Sequence, residues 1–148
     1  MNNEFTTQIV HADRRAGAEH GAVHQPLHPS SEYGFADAHE LAAVFQGSKS
    51  GFSYARQGTP TTAALERKIT QMEQGIGSVS FASGMAAVSA VFLTLLRQGD
   101  HLICSKYIFG NTNSVLLTLQ NFGIEVSLVD ATDVNEVIAS RQANTRMV

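Results

Sequence analysis

Apolar positions recur at helical spacing in the first part of the chain and in short, strand-length runs separated by helices in the second. Leu41, Val44 and Phe45 fall on one side of a stretch that Asp37 can cap and Gly47 can close, which predicts a helix through Phe45. Thr59-Pro60 is a good cap and first-turn pair. Leu65, Ile69 and Met72 then give a second helix one buried stripe, ending near Gly75. Beyond it the pattern alternates. Val79–Ala82 reads as a strand, Met85–Arg97 as an almost continuously apolar helix closed by Gly99, and His101–Cys104 as a strand. Thr112–Phe122 reads as a helix closed by Gly123, Ile124–Val129 as a strand, Asp133–Arg141 as a helix, and Arg146-Met147-Val148 as the start of another strand.

Strands separated by helices of this length imply right-handed βαβ crossovers. The expected fold class is therefore α/β, a largely parallel sheet with helices on both faces. The last strand is interrupted after its first apolar residues, so the chain is expected to be a fragment. At 148 residues it is large enough for a core that buries about two-thirds of its unfolded surface.

Candidate chemistry lies at three places. Ser83-Gly84-Met85 stands at the junction of the strand Val79–Ala82 with the apolar helix, where backbone N–H groups are unpaired and attract phosphate. Glycine there admits close approach, and the Ser83 hydroxyl can cap the helix or bond a phosphate oxygen. Arg56 adds a full positive charge on a planar fork, and Tyr54 projects the same way if the segment is extended. Plain structural roles account for each of these residues singly: a cap, a tight turn, an exposed arginine and a half-buried aromatic.

Together they form a pattern. Tyr54-Ala55-Arg56 with Gly58-Thr59-Pro60-Thr61, the run Phe81-Ala82-Ser83-Gly84-Met85-Ala86-Ala87, and Gly99-Asp100-His101 leading to Phe109-Gly110-Asn111-Thr112 resemble the Cys/Met-metabolism pyridoxal-phosphate enzymes. That family includes cystathionine synthases and lyases, methionine γ-lyase and homoserine-ester sulfhydrylases. The resemblance runs from about Thr6 to the end and covers only the amino-terminal part of such an enzyme. It implies the beginning of a fold-type I, aspartate aminotransferase-like large domain, with residues 1–58 as an arm and subunit-contact segment and residues 59–148 as the first, incomplete part of the cofactor-binding domain.

Position by position, the resemblance implies that Ser83, Gly84 and Met85 hold the phosphate of pyridoxal 5'-phosphate. Tyr54 and Arg56 reach that phosphate from a neighbouring subunit of a homo-oligomer, and Phe109 stacks on the pyridine ring. Many members have Tyr-Gly-Gly-Thr where this chain has Phe109-Gly110-Asn111-Thr112. Phenylalanine keeps the flat surface but lacks the phenolic hydroxyl, so any proton-transfer role of that hydroxyl is dropped or moved. The Phe-Gly pattern resembles the homoserine-ester sulfhydrylase branch. The implied reaction is γ-replacement on O-succinyl- or O-acetylhomoserine with sulfide, with synthase or lyase chemistry as the alternative. The lysine that forms the Schiff base and the aspartate facing the pyridine nitrogen are implied to lie beyond Val148. Lys49, Lys68 and Lys106 stand in other contexts, and solvated surface is expected for Lys68 and Lys106.

Composition narrows the classes. A net charge of -3, without a basic run interleaved with aromatics, gives no field for nucleic acid. The single cysteine, Cys104, cannot form an internal disulfide and reads as a reduced thiol in a strand. The polar start carries no secretory pattern, and Met85–Leu96 is too short to span a bilayer, so no membrane role and a cytoplasmic location are expected. His20, His24 and His28 recur every fourth residue, but Gly21, Pro26 and Pro29 break any helix that would align them, and no metal site is expected.

Two further readings stand beside the enzyme. A nicotinamide-binding module would need three spaced glycines after the strand, where this chain has only Gly84. A non-catalytic piece that contributes packing or subunit contacts is the other.

Overall fold

A computed structural model describes residues 5–11, 17 and 19–148, which fall into two compact units, one ending at Ser80 and one beginning at Phe81. The first unit is helical. Helix α1 (Phe5–His11) lies against α3 (Pro60–Met72), with α2 (Ala38–Phe45) between them in sequence. Asp37 caps α2 by accepting from the Glu40 N–H at 2.8 Å, and Gly47 closes it in the left-handed region at φ 72°. Thr59 and Thr62 form a reciprocal capping box at the start of α3. That helix ends at Met72, and Gln74 rather than Gly75 takes the left-handed turn, at φ 52°.

Tyr54-Ala55-Arg56 does not meet the condition of an extended segment. The Gln57 N–H donates to the Tyr54 carbonyl at 2.9 Å, so the chain turns here. Before the turn, Tyr54 pairs antiparallel with Glu32, and the Ala55 N–H donates to the Ser31 carbonyl at 2.9 Å. Residues 20–28 also lack a continuous helix. A 3₁₀ turn at Glu19–Gly21 includes His20 at φ 55°, and His28 lies 3.9 Å from the Glu19 carboxylate.

The second unit is α/β. Helix α4 (Gly84–Leu95) leads to strand β1 (His101–Ser105), α5 (Gly110–Asn121), β2 (Glu125–Val129), α6 (Val134–Ala139) and β3 (Thr145–Met147). The sheet is parallel, in the order β2-β1-β3, with His101 opposite both Glu125 and Thr145. Its central strand is buried on both faces, as parallel sheets require. Val88, Phe92 and Leu96, four residues apart along α4, pack with Leu116 and Leu119 of α5, Leu102 of β1 and Ile124. Flanking that stripe on α4, Val91, Leu93 and Leu95 are exposed. Gly123 at φ 76° closes α5, and a Cβ there would come within 2.9 Å of the Gln98 side chain.

The expected strand Val79–Ala82 does not form. A strand needs a neighbour for its backbone groups, and the described sheet has none for it. Instead the Ser80 N–H and hydroxyl both donate to the Glu66 carboxylate, at 2.8 and 2.9 Å, and the Thr70 hydroxyl, which donates to the Glu66 carbonyl at 2.7 Å, lies 2.8 Å from the Ser78 hydroxyl. These contacts tie the segment after α3 back onto that helix.

Cys104, on β1, is half-buried. Burial pushes its thiol above the ordinary cysteine range, although the Ser105 backbone acts the other way. Its thiolate is therefore scarcer at neutral pH than that of an unhindered cysteine. Iodoacetamide at pH 7.5 is expected to label it more slowly than a free cysteine peptide and to catch up only in alkali; equal rates at pH 7.5 would contradict this.

Candidate functional site

In the second unit, the starts of α4 and α5 meet near the carboxyl end of β1, the edge at which open α/β sheets bind ligands. Ser83 caps α4, its hydroxyl accepting from the Ala86 N–H at 3.2 Å. Among the described residues the N–H groups of Gly84 and Met85 have no partner, as the first turn of a helix dictates. Gly84 needs no left-handed backbone, and an added Cβ would meet no atom of the chain within 4 Å. Nothing in the chain's own packing calls for glycine at this point. Unpaired N–H donors at a helix start are the kind of group that attracts an anion, and a glycine there allows close approach.

Met85 connects the two helix starts, because its sulfur accepts from the Thr112 hydroxyl at 3.8 Å. Phe109 immediately precedes α5. It makes no side-chain cap, its ring is 72 % exposed, and its carbonyl accepts from the Thr112 and Asn113 N–H groups at 2.9 and 3.2 Å. The structure thus brings Ser83, Gly84, Met85 and Phe109 to neighbouring helix starts, where unpartnered backbone N–H groups and an exposed aromatic side chain occur together.

Tyr54 and Arg56 come together in the first unit. The guanidinium lies over the Tyr54 ring, 5.1 Å from its centre. Both line a cleft of about 380 Å³ with Phe35, Leu41 and Gln57. Arg56 is exposed and has no carboxylate within ion-pair reach among the described residues, which leaves its fork available to an external anion.

A model of the Cys/Met metabolism PLP-dependent enzymes matches residues 6–148. The chain belongs to this family. It is 39 % identical over 148 residues to cystathionine beta-lyase MetC of Bacillus subtilis (strain 168), covering 99 % of the chain and 36 % of that protein. With O-acetyl-L-homoserine sulfhydrylase of Corynebacterium glutamicum it shares 35 % identity over 144 residues, covering 96 % of the chain and 33 % of the relative. A crystal structure of a putative O-acetylhomoserine (thiol)-lyase from Campylobacter jejuni, carrying N'-pyridoxyl-lysine-5'-monophosphate, superposes with a TM-score of 0.86 at 28 % identity, over 97 % of this chain and 36 % of that one. The chain thus spans about a third of the length of these relatives. The cofactor of the family is pyridoxal phosphate, and its members act in sulfur amino-acid metabolism. Among the described residues no helix is long and apolar enough to cross a membrane.

Two arrangements at the sheet were not foreseen from the sequence. Lys106 is exposed, as expected, but it also has partners at the surface. Its ammonium lies 3.7 Å from Asp130 and 3.9 Å from Glu136, and 5.3 Å from the centre of the Tyr107 ring. Desolvation opposes its charge, but Glu136, Tyr107 and Asp130 outweigh that and hold it above the usual lysine range. The Thr132 hydroxyl and N–H, with smaller help from Tyr107 and Lys106, hold Asp130 below the usual carboxylate range.

The second arrangement is around His101, which has no exposed surface. It bonds Thr145 through Nδ1 at 2.8 Å and Ser127 through Nε2 at 2.9 Å, so one imidazole bridges all three strands. Each hydroxyl can donate or accept, so both ring nitrogens are satisfied in either tautomer. A lone polar residue at a strand start carries no signal of its partners in a one-dimensional pattern.

Proposed function

We propose that this chain is the amino-terminal part of a pyridoxal-phosphate enzyme that replaces the γ-substituent of O-acetyl- or O-succinylhomoserine with sulfide to give homocysteine. In that exchange the γ-carbon–oxygen bond breaks, acetate or succinate departs, and a carbon–sulfur bond forms. When bound, the cofactor would supply an electron sink for the charge left when protons leave the amino-bearing carbon and then its neighbour.

The observation that supports this reading best is the pairing of the unpartnered N–H groups of Gly84 and Met85 with the exposed Phe109 face at adjoining helix starts. In this reading the Gly84 and Met85 N–H groups hold the phosphate oxygens, and Ser83 keeps the first turn of α4 in place. Phe109 orients the pyridine ring by stacking and excludes water from one face. Tyr54 contributes a hydroxyl donor and Arg56 a bidentate charge, directed at the phosphate of a neighbouring subunit in a homo-oligomer. Residues 1–58 would then serve as the arm that makes this subunit contact. None of Lys49, Lys68 and Lys106 is assigned to the cofactor aldehyde. That lysine is placed in the part of the relatives' length which this chain does not span, so the 148 residues alone are proposed to be inactive.

Phe109 favours sulfhydrylase chemistry over lyase chemistry, because it provides stacking without a phenolic proton donor. The test uses a polypeptide of the relatives' length that carries this sequence. It is supplied with pyridoxal phosphate, sulfide and each ester in turn, and homocysteine is measured against ammonia and oxo acid. Homocysteine as the main product is expected. Ammonia with an oxo acid would assign a lyase instead, and failure to take up the cofactor would end the proposal.

A further inference from the structure

We propose that Lys106 is a positioning residue for Phe109, holding the connection between β1 and α5 in place through its carboxylate contacts with Asp130 and Glu136. The proposal rests on the reading of Phe109 given under Proposed function.

Only Lys106, Tyr107 and Ile108 separate β1 from Phe109, and each is anchored differently. The Lys106 N–H donates to the Val129 carbonyl at 2.8 Å, the bond that closes the β1–β2 ladder at Ser105 and Val129. Its ammonium then reaches across the carboxyl edge of the sheet to Asp130, just past β2, and to Glu136 on α6. The Tyr107 N–H donates to the Ser105 hydroxyl at 3.2 Å, and the Tyr107 ring lies beside the ammonium. Ile108 packs against the core between α4, α5 and the sheet. Asp130 is itself preset, because its carboxylate accepts from the Thr132 N–H at 3.0 Å and the Thr132 hydroxyl at 2.6 Å.

Downstream, Phe109 is held by the first turn of α5 and by the Thr112–Met85 contact. Its exposed ring has no packing of its own to set its direction, so the backbone on either side must do so. The upstream anchor is ionic: Lys106 faces the Tyr107 ring and two carboxylates, Asp130 and Glu136, which outnumber its single positive charge. This excess negative charge makes Lys106 a clasp and not an anion site.

Exposed ion pairs contribute little singly, and breaking this one is expected to speed amide exchange at residues 107–110 by about three-fold, with β1–β3 unaffected. The variant Lys106→Met keeps the aliphatic stem and removes only the charge. Raising KCl to about 0.5 M should bring the unaltered protein towards the variant and leave the variant unchanged. Lys106→Arg should restore slow exchange. In the polypeptide of the relatives' length, Lys106→Met should also lower the visible circular dichroism of bound pyridoxal phosphate, which reports the fixed orientation of the ring.

Equal exchange at 107–110 in the Lys106→Met and unaltered proteins at low salt would overturn the proposal. So would faster exchange spread evenly over the three strands, which would mean general loosening. If the unaltered protein takes up no pyridoxal phosphate, the reading of Phe109 fails with it, while exchange at 107–110 still decides whether the clasp holds the segment.

Discussion

Replacing His101 with Leu is expected to lower the unfolding free energy by about 2–4 kcal/mol, among the largest losses available from one side chain outside the aliphatic core. His101 is entirely buried, and its two ring nitrogens satisfy Ser127 on β2 and Thr145 on β3. Leucine fills much of the space but leaves two partly buried hydroxyls each short of a partner. Thr145 keeps the Gln142 N–H, which donates to its oxygen at 2.7 Å, so the penalty falls more heavily on Ser127. Removing all three polar groups together, as His101→Leu with Ser127→Ala and Thr145→Val, should recover most of the loss, because apolar groups of similar shape need no partners. Urea unfolding followed by circular dichroism reads both effects. A change below about 0.5 kcal/mol for His101→Leu would show that the bridge contributes nothing net.

Arg56→Ala, in the polypeptide of the relatives' length, is expected to weaken cofactor retention about 10- to 150-fold, the range set by losing one charge-assisted contact of about 1.5–3 kcal/mol. Arg56→Lys should recover only part of this, since an ammonium cannot reproduce the two-pronged contact of the guanidinium. Arg56 carries no packing load in its own unit. It is exposed on a turn and touches the Tyr54 ring face, so the variant should fold normally. Mixing the Arg56→Ala chain with a chain altered only at the lysine that holds the cofactor aldehyde should restore part of the activity, because one mixed site then has both groups intact. No recovery in the mixture would place Arg56 in the same subunit as the phosphate it serves.

Much of the site could be read from the chain because it depends on local geometry. Ser83 before an apolar helix is a cap wherever it occurs, and Gly84 leaves the first N–H groups open. The stripe on α4 and the glycines at Gly47 and Gly123 are similarly local, since periodicity and the left-handed backbone are properties of a few consecutive residues. Alternation would place Tyr54 and Arg56 on one face only if their segment were extended. They do come together, but through a turn, which alternation cannot describe.

Val79–Ala82 shows the limit of such reasoning. Its residues have strand character, yet a strand exists only where a neighbour accepts its hydrogen bonds, and here Glu66 takes the Ser80 N–H instead. The Lys106 clasp and the His101 bridge fail in the same way. Their partners lie 24, 26, 30 and 44 residues away in sequence, as the numbering of Asp130, Ser127, Glu136 and Thr145 shows.

The amino-acid sequence by itself determined the α/β class, the helix caps and stripes, the family, and which residues could bind an anion or stack on a ring. All of these follow from interactions within one turn or one strand, or from motifs kept in order. Only the tertiary structure decided which strands pair, that the starts of α4 and α5 adjoin through Met85 and Thr112, and that Lys106 and His101 have partners on other elements. Those contacts join residues far apart along the chain, and chain folding, not local propensity, brings them within bonding distance.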